Sequence, residues 1–177
     1  MSDGAGTPDA MPGTPDPAPV PFAIVPGDRE RHAAACAAIL DGWIEETAWM
    51  PRLHDRASIG RFVHDVVFAM RHVFVAVPDA PGTVVPSDEP RGFLAVDIED
   101  MVAALYVAAP ARGRGIGRAL VERAKAETPG GLRLWTFRPN HAARLFYARE
   151  GFEEIGRTEG DNEEGLPDVL LEWRPGA

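Results

Sequence analysis

The chain has 177 residues, of which 45% are hydrophobic, with a net charge of -9 and a pI near 5.0. Its length and composition suit one soluble domain with a sizeable core. Its acidity argues against a nucleic-acid surface, which would need a strong local basic patch. One cysteine rules out an internal disulfide framework, and no apolar run is long enough to cross a bilayer. A cytoplasmic protein with no membrane partner is expected.

In chain order, Met1 to Pro21 is crowded with proline, glycine, alanine and aspartate. It is expected to be a disordered tail without a secretory signal, leaving residues 22–177 as one domain. A strand is predicted at Phe22–Val25 and a helix at about Asp28–Glu46. Cys36 sits in the alanine-rich stretch His32–Leu40, facing a core. No partner base is near it in sequence, so it reads as an inert thiol. Trp49-Met-Pro-Arg-Leu-His54 separates that helix from a second at Ser58–Met70. A strand at His72–Val77, a Pro/Gly-rich connection at Pro78–Pro90, and strands at Gly92–Ile98 and Met101–Val107 follow. The Glu99-Asp100 junction between the last two suggests a hairpin. His32, His54, His64, His72 and His141 lack the neighbouring cysteine or paired-histidine spacing of a zinc site, so no metal is expected. Four of them read as surface or helix-end residues; His54 stands out as a candidate at the site.

Pro110 blocks continued pairing after Val107, and the turn Arg112-Gly113-Arg114-Gly115-Ile116-Gly117 follows. Its alternate glycines leave the backbone free of Cβ atoms, so successive N–H groups can close around phosphate oxygens. Ile116, Leu120, Val121 and Ala124 then form a helical stripe through Glu127, ended by Pro129-Gly130-Gly131. The free N–H groups at that helix start would face an anion, with Arg112, Arg114 and Arg118 adding charge. There is no Gly-Lys-Ser/Thr for a nucleotide triphosphate. The dinucleotide fingerprint fails too, because Arg118 or Leu120 stands where its third glycine belongs. A pyrophosphate-bearing ligand of another kind remains.

Leu132–Phe137 is a strand candidate, and Asn140 to Glu150 a helix ended by Gly151. At about 100° per residue, the seven steps from Asn140 to Tyr147 return to within roughly 20° of the start, so both polar groups share one face. Leu145 and Phe146 are expected to face a core. A cap role for Asn140 and ordinary half-burial for Tyr147 are the alternatives. Closing strands are predicted near Glu153–Arg157 and Val169–Trp173. The order of elements is α+β, with a mixed, mostly antiparallel sheet flanked by helices.

At these residues the chain resembles the GNAT superfamily of acyl-CoA-dependent N-acyltransferases. The pyrophosphate motif Gln/Arg-x-x-Gly-x-Gly/Ala is met by Arg112, Gly115 and Gly117. The later Asn…Tyr…Gly-Phe segment is met by Asn140, Tyr147, Gly151 and Phe152. The resemblance is strongest from about Arg91 to Glu154. Trp49–His54 and Asn162–Asp168 look like segments of a bacterial branch.

The resemblance implies acetyl-CoA as acyl donor and a primary amine on a small molecule or peptide as acceptor. It implies direct attack on the thioester, carried out by a monomer or homodimer. It assigns a backbone donor for the carbonyl oxygen near Leu105, Tyr106 and Val107, cofactor contacts to residues 112–118 and Asn140, and the thiolate's acid to Tyr147. Trp49, Met50, Arg52 and His54 fall where acceptor pockets form. Some relatives carry a glutamate on the strand that here reads Met101-Val-Ala-Ala104. Without it, Asp97, Glu99, Asp100, His54 or a water chain is left to take the amine's proton. An acyl-CoA-binding sensor or interaction module is the alternative function. The acidic run from Glu150 to Glu172 reads as a solvated loop or as a lure for a cationic amine.

Overall fold

The computed structural model describes residues 21–79 and 89–176. The expected tail, apart from Pro21, and most of the Pro78–Pro90 connection lie outside the described residues.

Among the described residues, seven strands form two antiparallel sheets. The first has the order β1 (Phe22–Pro26), β2 (His72–Pro78), β3 (Gly92–Val96), β4 (Val102–Val107). The second has the order β5 (Leu132–Phe137), β7 (Asp168–Trp173), β6 (Glu153–Thr158). A single parallel bridge between Met101 and Arg133 joins them, reinforced by Arg133 N–H donating to the Asp100 carbonyl at 3.1 Å. The fold is thus α+β with a mixed, mostly antiparallel sheet arrangement, as the order of elements predicts.

Alternation along the strands builds two cores. Phe74, Ala76, Leu94 and Val96 face one side, under α4 (Ile116–Glu127), where Ile116, Leu120, Val121 and Ala124 form the predicted stripe. Complete burial of a residue such as Leu120 contributes about 2 kcal/mol. Val73, Val75, Val77, Phe93 and Ala95 face the other side, under α1 (Arg29–Glu46) and the helical run that follows it. That run begins at Arg56, two residues before the predicted start. Asp55 caps it, accepting from Ser58 N–H at 2.7 Å. It is α2 (Arg56–Phe62), a π turn at Val63–Val67, and α3 (Phe68–Met70).

Three expectations change. His32, 3% exposed, is a buried residue of the first turn of α1, and its Nδ1 accepts from Asp28 N–H at 3.0 Å. α5 (His141–Arg149) starts after Asn140, and its inward face is Ala143, Phe146 and Tyr147, leaving Leu145 63% exposed. The spacing i, i+3, i+4 decides this, because Leu145 lies between two inward positions and points away from both. The acidic run keeps Glu153, Glu154, Glu159, Asp161 and Glu163 exposed, as a solvated loop would, and departs from that expectation at Asp168. Asp168 is buried, and Glu154 and Glu159 are each ion-paired.

Candidate active site

Among the described residues, β4 and β5 are bridged near their starts, at Met101–Arg133, and no ladder joins their C-terminal halves. A bulge contributes to the divergence. Ala95 pairs with Ala104 and Val96 with Val102, so Ala103 is an extra residue that bends β4. The result is a wedge whose walls are the free edges of β4 and β5.

The register decides which backbone groups of β4 face the wedge. Ala108 N–H donates to the Arg91 carbonyl at 2.9 Å, which sets the phase of the β3–β4 ladder. Phe93 and Tyr106 are then a hydrogen-bonded pair, whereas Leu105 and Val107 direct their N–H and C=O groups away from β3 into the wedge. This corrects the expectation for Tyr106, whose peptide group is taken by β3. The Val107 carbonyl accepts from Arg112 Nε at 3.0 Å.

The glycine turn closes one end of the wedge. Gly113 and Gly115 have φ of 73° and 83°, a region costly for other residues, and a Cβ at either would meet nothing within 4 Å. Gly117 is helical, and a Cβ there would lie 3.4 Å from the Phe146 ring. The first helical bond of α4 runs from Ala119 N–H to the Gly115 carbonyl at 3.0 Å. Among the described residues, none accepts from the N–H groups of residues 113–118. They form a ready anion cradle at a helix start. The three arginines are not equivalent. Arg112 is held by Glu46 at the end of α1, and Arg118 Nε by Glu122 at 2.8 Å. Arg114 has no ion-pair partner among the described residues.

Asn140 caps α5, its Oδ1 accepting from Ala143 N–H at 3.1 Å. Tyr147 is 7% exposed and packs edge-on between Phe146 and Phe152, with ring centroids 5.2 and 5.4 Å away. Its cluster also contains Leu105 and Val107. Burial, and secondarily the Tyr106 hydroxyl, holds the Tyr147 phenol well above its ordinary range. It therefore stays a proton donor at any ordinary pH.

Aromatic rings line the opposite face of the wedge. Tyr106 of β4 meets Trp43 of α1 at 5.3 Å, Trp43 meets Trp49 at 5.8 Å, and Trp49 meets Phe137 at the end of β5 at 5.8 Å. Burial, then the charge of Glu164, pushes the Tyr106 phenol up to about 12.

Trp49 is thus one of the rings on this face, and Met50 N–H bonds to the Thr47 carbonyl beside it at 3.0 Å. Arg52 has a different task from the substrate contact expected of it. It donates to the buried Asp41 carboxylate at 2.8 Å, which Arg56 also holds at 2.7 Å, and so it pins the α1–α2 loop to α1. Arg52, the first cause, and Arg56 together hold Asp41 below the usual carboxylate range against its burial. His54 Nε2 lies 2.9 Å from Glu163 Oε1, joining the α1–α2 loop to the β6–β7 loop.

Glu99 is corrected outright. It lies with Asp97 and Asp100 in the β3–β4 turn, at the other end of β4 from the open mouth. The first half of β4, residues 102–105, roughly 10 Å of strand, lies between that turn and Leu105. Sequence reasoning missed Asp41, Trp43 and Phe137. The available signal for Asp41 was an acid placed among Ile39, Leu40 and Trp43 on an otherwise apolar helix face.

Residues 69–154 match the family described as the acetyltransferase (GNAT) domain. The peptidyl-lysine N-acetyltransferase YiaC of Escherichia coli strain K12 is 31% identical over 147 residues, 82% of this chain and 94% of its own length. The peptidyl-lysine N-acetyltransferase YjaB of Salmonella typhimurium is 40% identical over 97 residues, 54% of this chain and 65% of its own. The solution structure of apo-form YjaB from Escherichia coli superposes with a TM-score of 0.68 at 26% identity, covering 88% of this chain and 99% of that one. With the fold, the glycine turn and a relative matched along nearly its whole length, the chain belongs to the GNAT acetyltransferase superfamily.

Proposed function

We propose that the protein transfers an acetyl group from acetyl-CoA to the side-chain amine of a peptidyl lysine. The observation that carries this reading is the composition of the wedge. Among the described residues, an unpaired amide cradle and Arg114, which has no ion-pair partner, stand at one end, and the N–H groups of Leu105 and Val107, turned away from β3, and the Tyr147 cluster lie along it. The cradle suits the donor's pyrophosphate, and the β4 edge suits the amides of its pantetheine arm. The acceptor class follows from the kinship with YiaC and YjaB, whose names state it for those proteins.

In the reaction, the neutral amine nitrogen enters from the aromatic face and attacks the thioester carbonyl carbon. A C–N bond forms, and negative charge gathers on the carbonyl oxygen, where the N–H of Leu105 or Val107 can donate. The C–S bond then breaks, and the thiolate takes a proton from Tyr147, giving an amide and free coenzyme A; the phenolate regains its proton from solvent as the products leave. The amine's proton leaves on the acceptor side, where Glu164, His54 and Glu163 are ionisable groups. Residues 22–177 act as one catalytic unit in this reading, soluble and without a metal.

Calorimetric titration with acetyl-CoA tests the donor half, repeated on the Gly115→Glu, Gly117→Glu variant with its folding checked by circular dichroism. Binding that is lost in the folded variant supports the cradle; no binding to the unaltered chain overturns the reading. Release of free thiol with lysine peptides tests the acceptor half. Binding without release on any amine points instead to an acyl-CoA sensor.

A further inference from the structure

We propose that the outer face of β5, beyond Phe137, is a second acceptor subsite that takes a cationic side chain flanking the lysine to be acetylated. This deepens the peptidyl-lysine reading above and rests on it. A groove of about 340 Å³ runs along this face, lined by Trp135, Phe137, Thr158, Asp161, Asn162 and Asp168. It begins at the mouth of the wedge, because the Phe137 ring is the last member of the aromatic series that starts at Tyr106. Phe137 and Trp135 are two residues apart on one strand and face the same way. Their side chains are therefore spaced by roughly 7 Å, the span of two residues in an extended peptide.

Two features give the groove its chemistry. The Trp135 indole is 45% exposed, an unusual place for the largest apolar side chain, and its ring face is suited to a guanidinium or ammonium group. Asp161 and Asp168 bring two carboxylates to the same groove, and among the described residues neither is paired with a cationic side chain. Asp168 accepts from neutral donors alone, the Thr158 hydroxyl and Asn162 Nδ2, the latter at 2.9 Å, and these fix the orientation of its carboxyl group in the groove. The nearby Arg138 is bound to Glu159 at 3.2 Å. Arg133, two residues back from Trp135 on the same strand, limits the subsite to the stretch between it and the mouth. An aromatic platform beside unpaired carboxylates selects a positive side chain and disfavours an acidic one.

The test compares lysine peptides carrying Arg, Ala or Glu one and two positions from the lysine, assayed for thiol release with acetyl-CoA at saturation. The expected result is a roughly tenfold higher kcat/KM for the Arg-flanked over the Glu-flanked peptide, expressed in KM. The exposed substitutions Trp135→Ala and Asp161→Asn should each shrink that ratio while leaving the rate on the Ala-flanked peptide unchanged. Equal kcat/KM for Arg- and Glu-flanked peptides, both acetylated, overturns the subsite and leaves the peptidyl-lysine reading standing. Acetylation of no peptide, with acetyl-CoA still bound, overturns the peptidyl-lysine reading and the subsite with it.

Discussion

His54 Nε2 lies 2.9 Å from Glu163 Oε1, and this contact ties the loop after α1 to the loop between β6 and β7 beside the aromatic face of the wedge. Both side chains are more than half exposed, so the pair adds little to stability. Its consequence is geometric, since it holds Trp49 and Glu164 on facing loops.

Glu163→Gln is therefore expected to change Tm by no more than about 2 °C. The acceptor's KM should rise about threefold while that for acetyl-CoA stays constant. Steady-state kinetics with each substrate varied in turn check this. A matching rise in both constants would mean that the pair supports the whole fold.

Tyr147→Phe keeps the ring between Phe146 and Phe152 and removes the hydroxyl. Turnover is expected to fall about a hundredfold, with acetyl-CoA affinity nearly unchanged. Since burial keeps the phenol protonated, the pH–rate profile of the unaltered enzyme should contain no limb from Tyr147 below pH 10. Loss of affinity alone would remove its acid role.

Asp41→Asn should lower Tm by roughly 5 °C, because a buried carboxylate serving Arg52 and Arg56 is replaced by a weaker acceptor. The folded-state pKa of Asp41 is depressed. Its contribution is thus complete above the unfolded carboxylate value of about 3.9 and is lost as pH falls through the folded value. Acid unfolding curves should accordingly be steeper for the unaltered chain than for Asp41→Asn.

The alkaline side has the opposite sign. Burial raises the Cys36 thiol from 9.0 to about 12, the Tyr106 phenol from 10.0 to about 12, and Tyr147 further still. Each contributes stability that is full below its unfolded value and lost as pH rises through its folded one. Denaturant midpoints should hold to about pH 9 and then decline, and the Tyr106→Phe, Tyr147→Phe double variant should decline less. Cys36 should also be silent to thiol reagents in the native protein at pH 8 and react on unfolding. The thiol-release assay would then report coenzyme A alone.

Arg114→Ala tests the cradle's charge. Affinity for acetyl-CoA should drop about tenfold, and its dependence on salt should become shallower. Arg118→Ala, which removes a residue already paired with Glu122, should do less. Equal losses would show that the ion pair opens when the ligand binds.

The sequence by itself determined the local chemistry of the protein. Gly113 and Gly115 mark left-handed backbone, the stripe from Ile116 to Ala124 marks a buried helix face, and Asp28 and Asn140 mark helix starts, because each depends on neighbours a few residues away. The motif spacing through Phe152 was sufficient for the superfamily. Tertiary structure alone decided the wedge, since the parting of β4 from β5 depends on a bulge at Ala103 and on strand pairing between distant segments. It also reassigned Arg52 to Asp41, drew His54 to Glu163, turned Leu145 outward, and left Glu99 at the far end of its strand. The physical reason is common to all of these. A side chain's partner in the fold is set by which elements pack together and in what register, and neither is encoded by periodicity within one element.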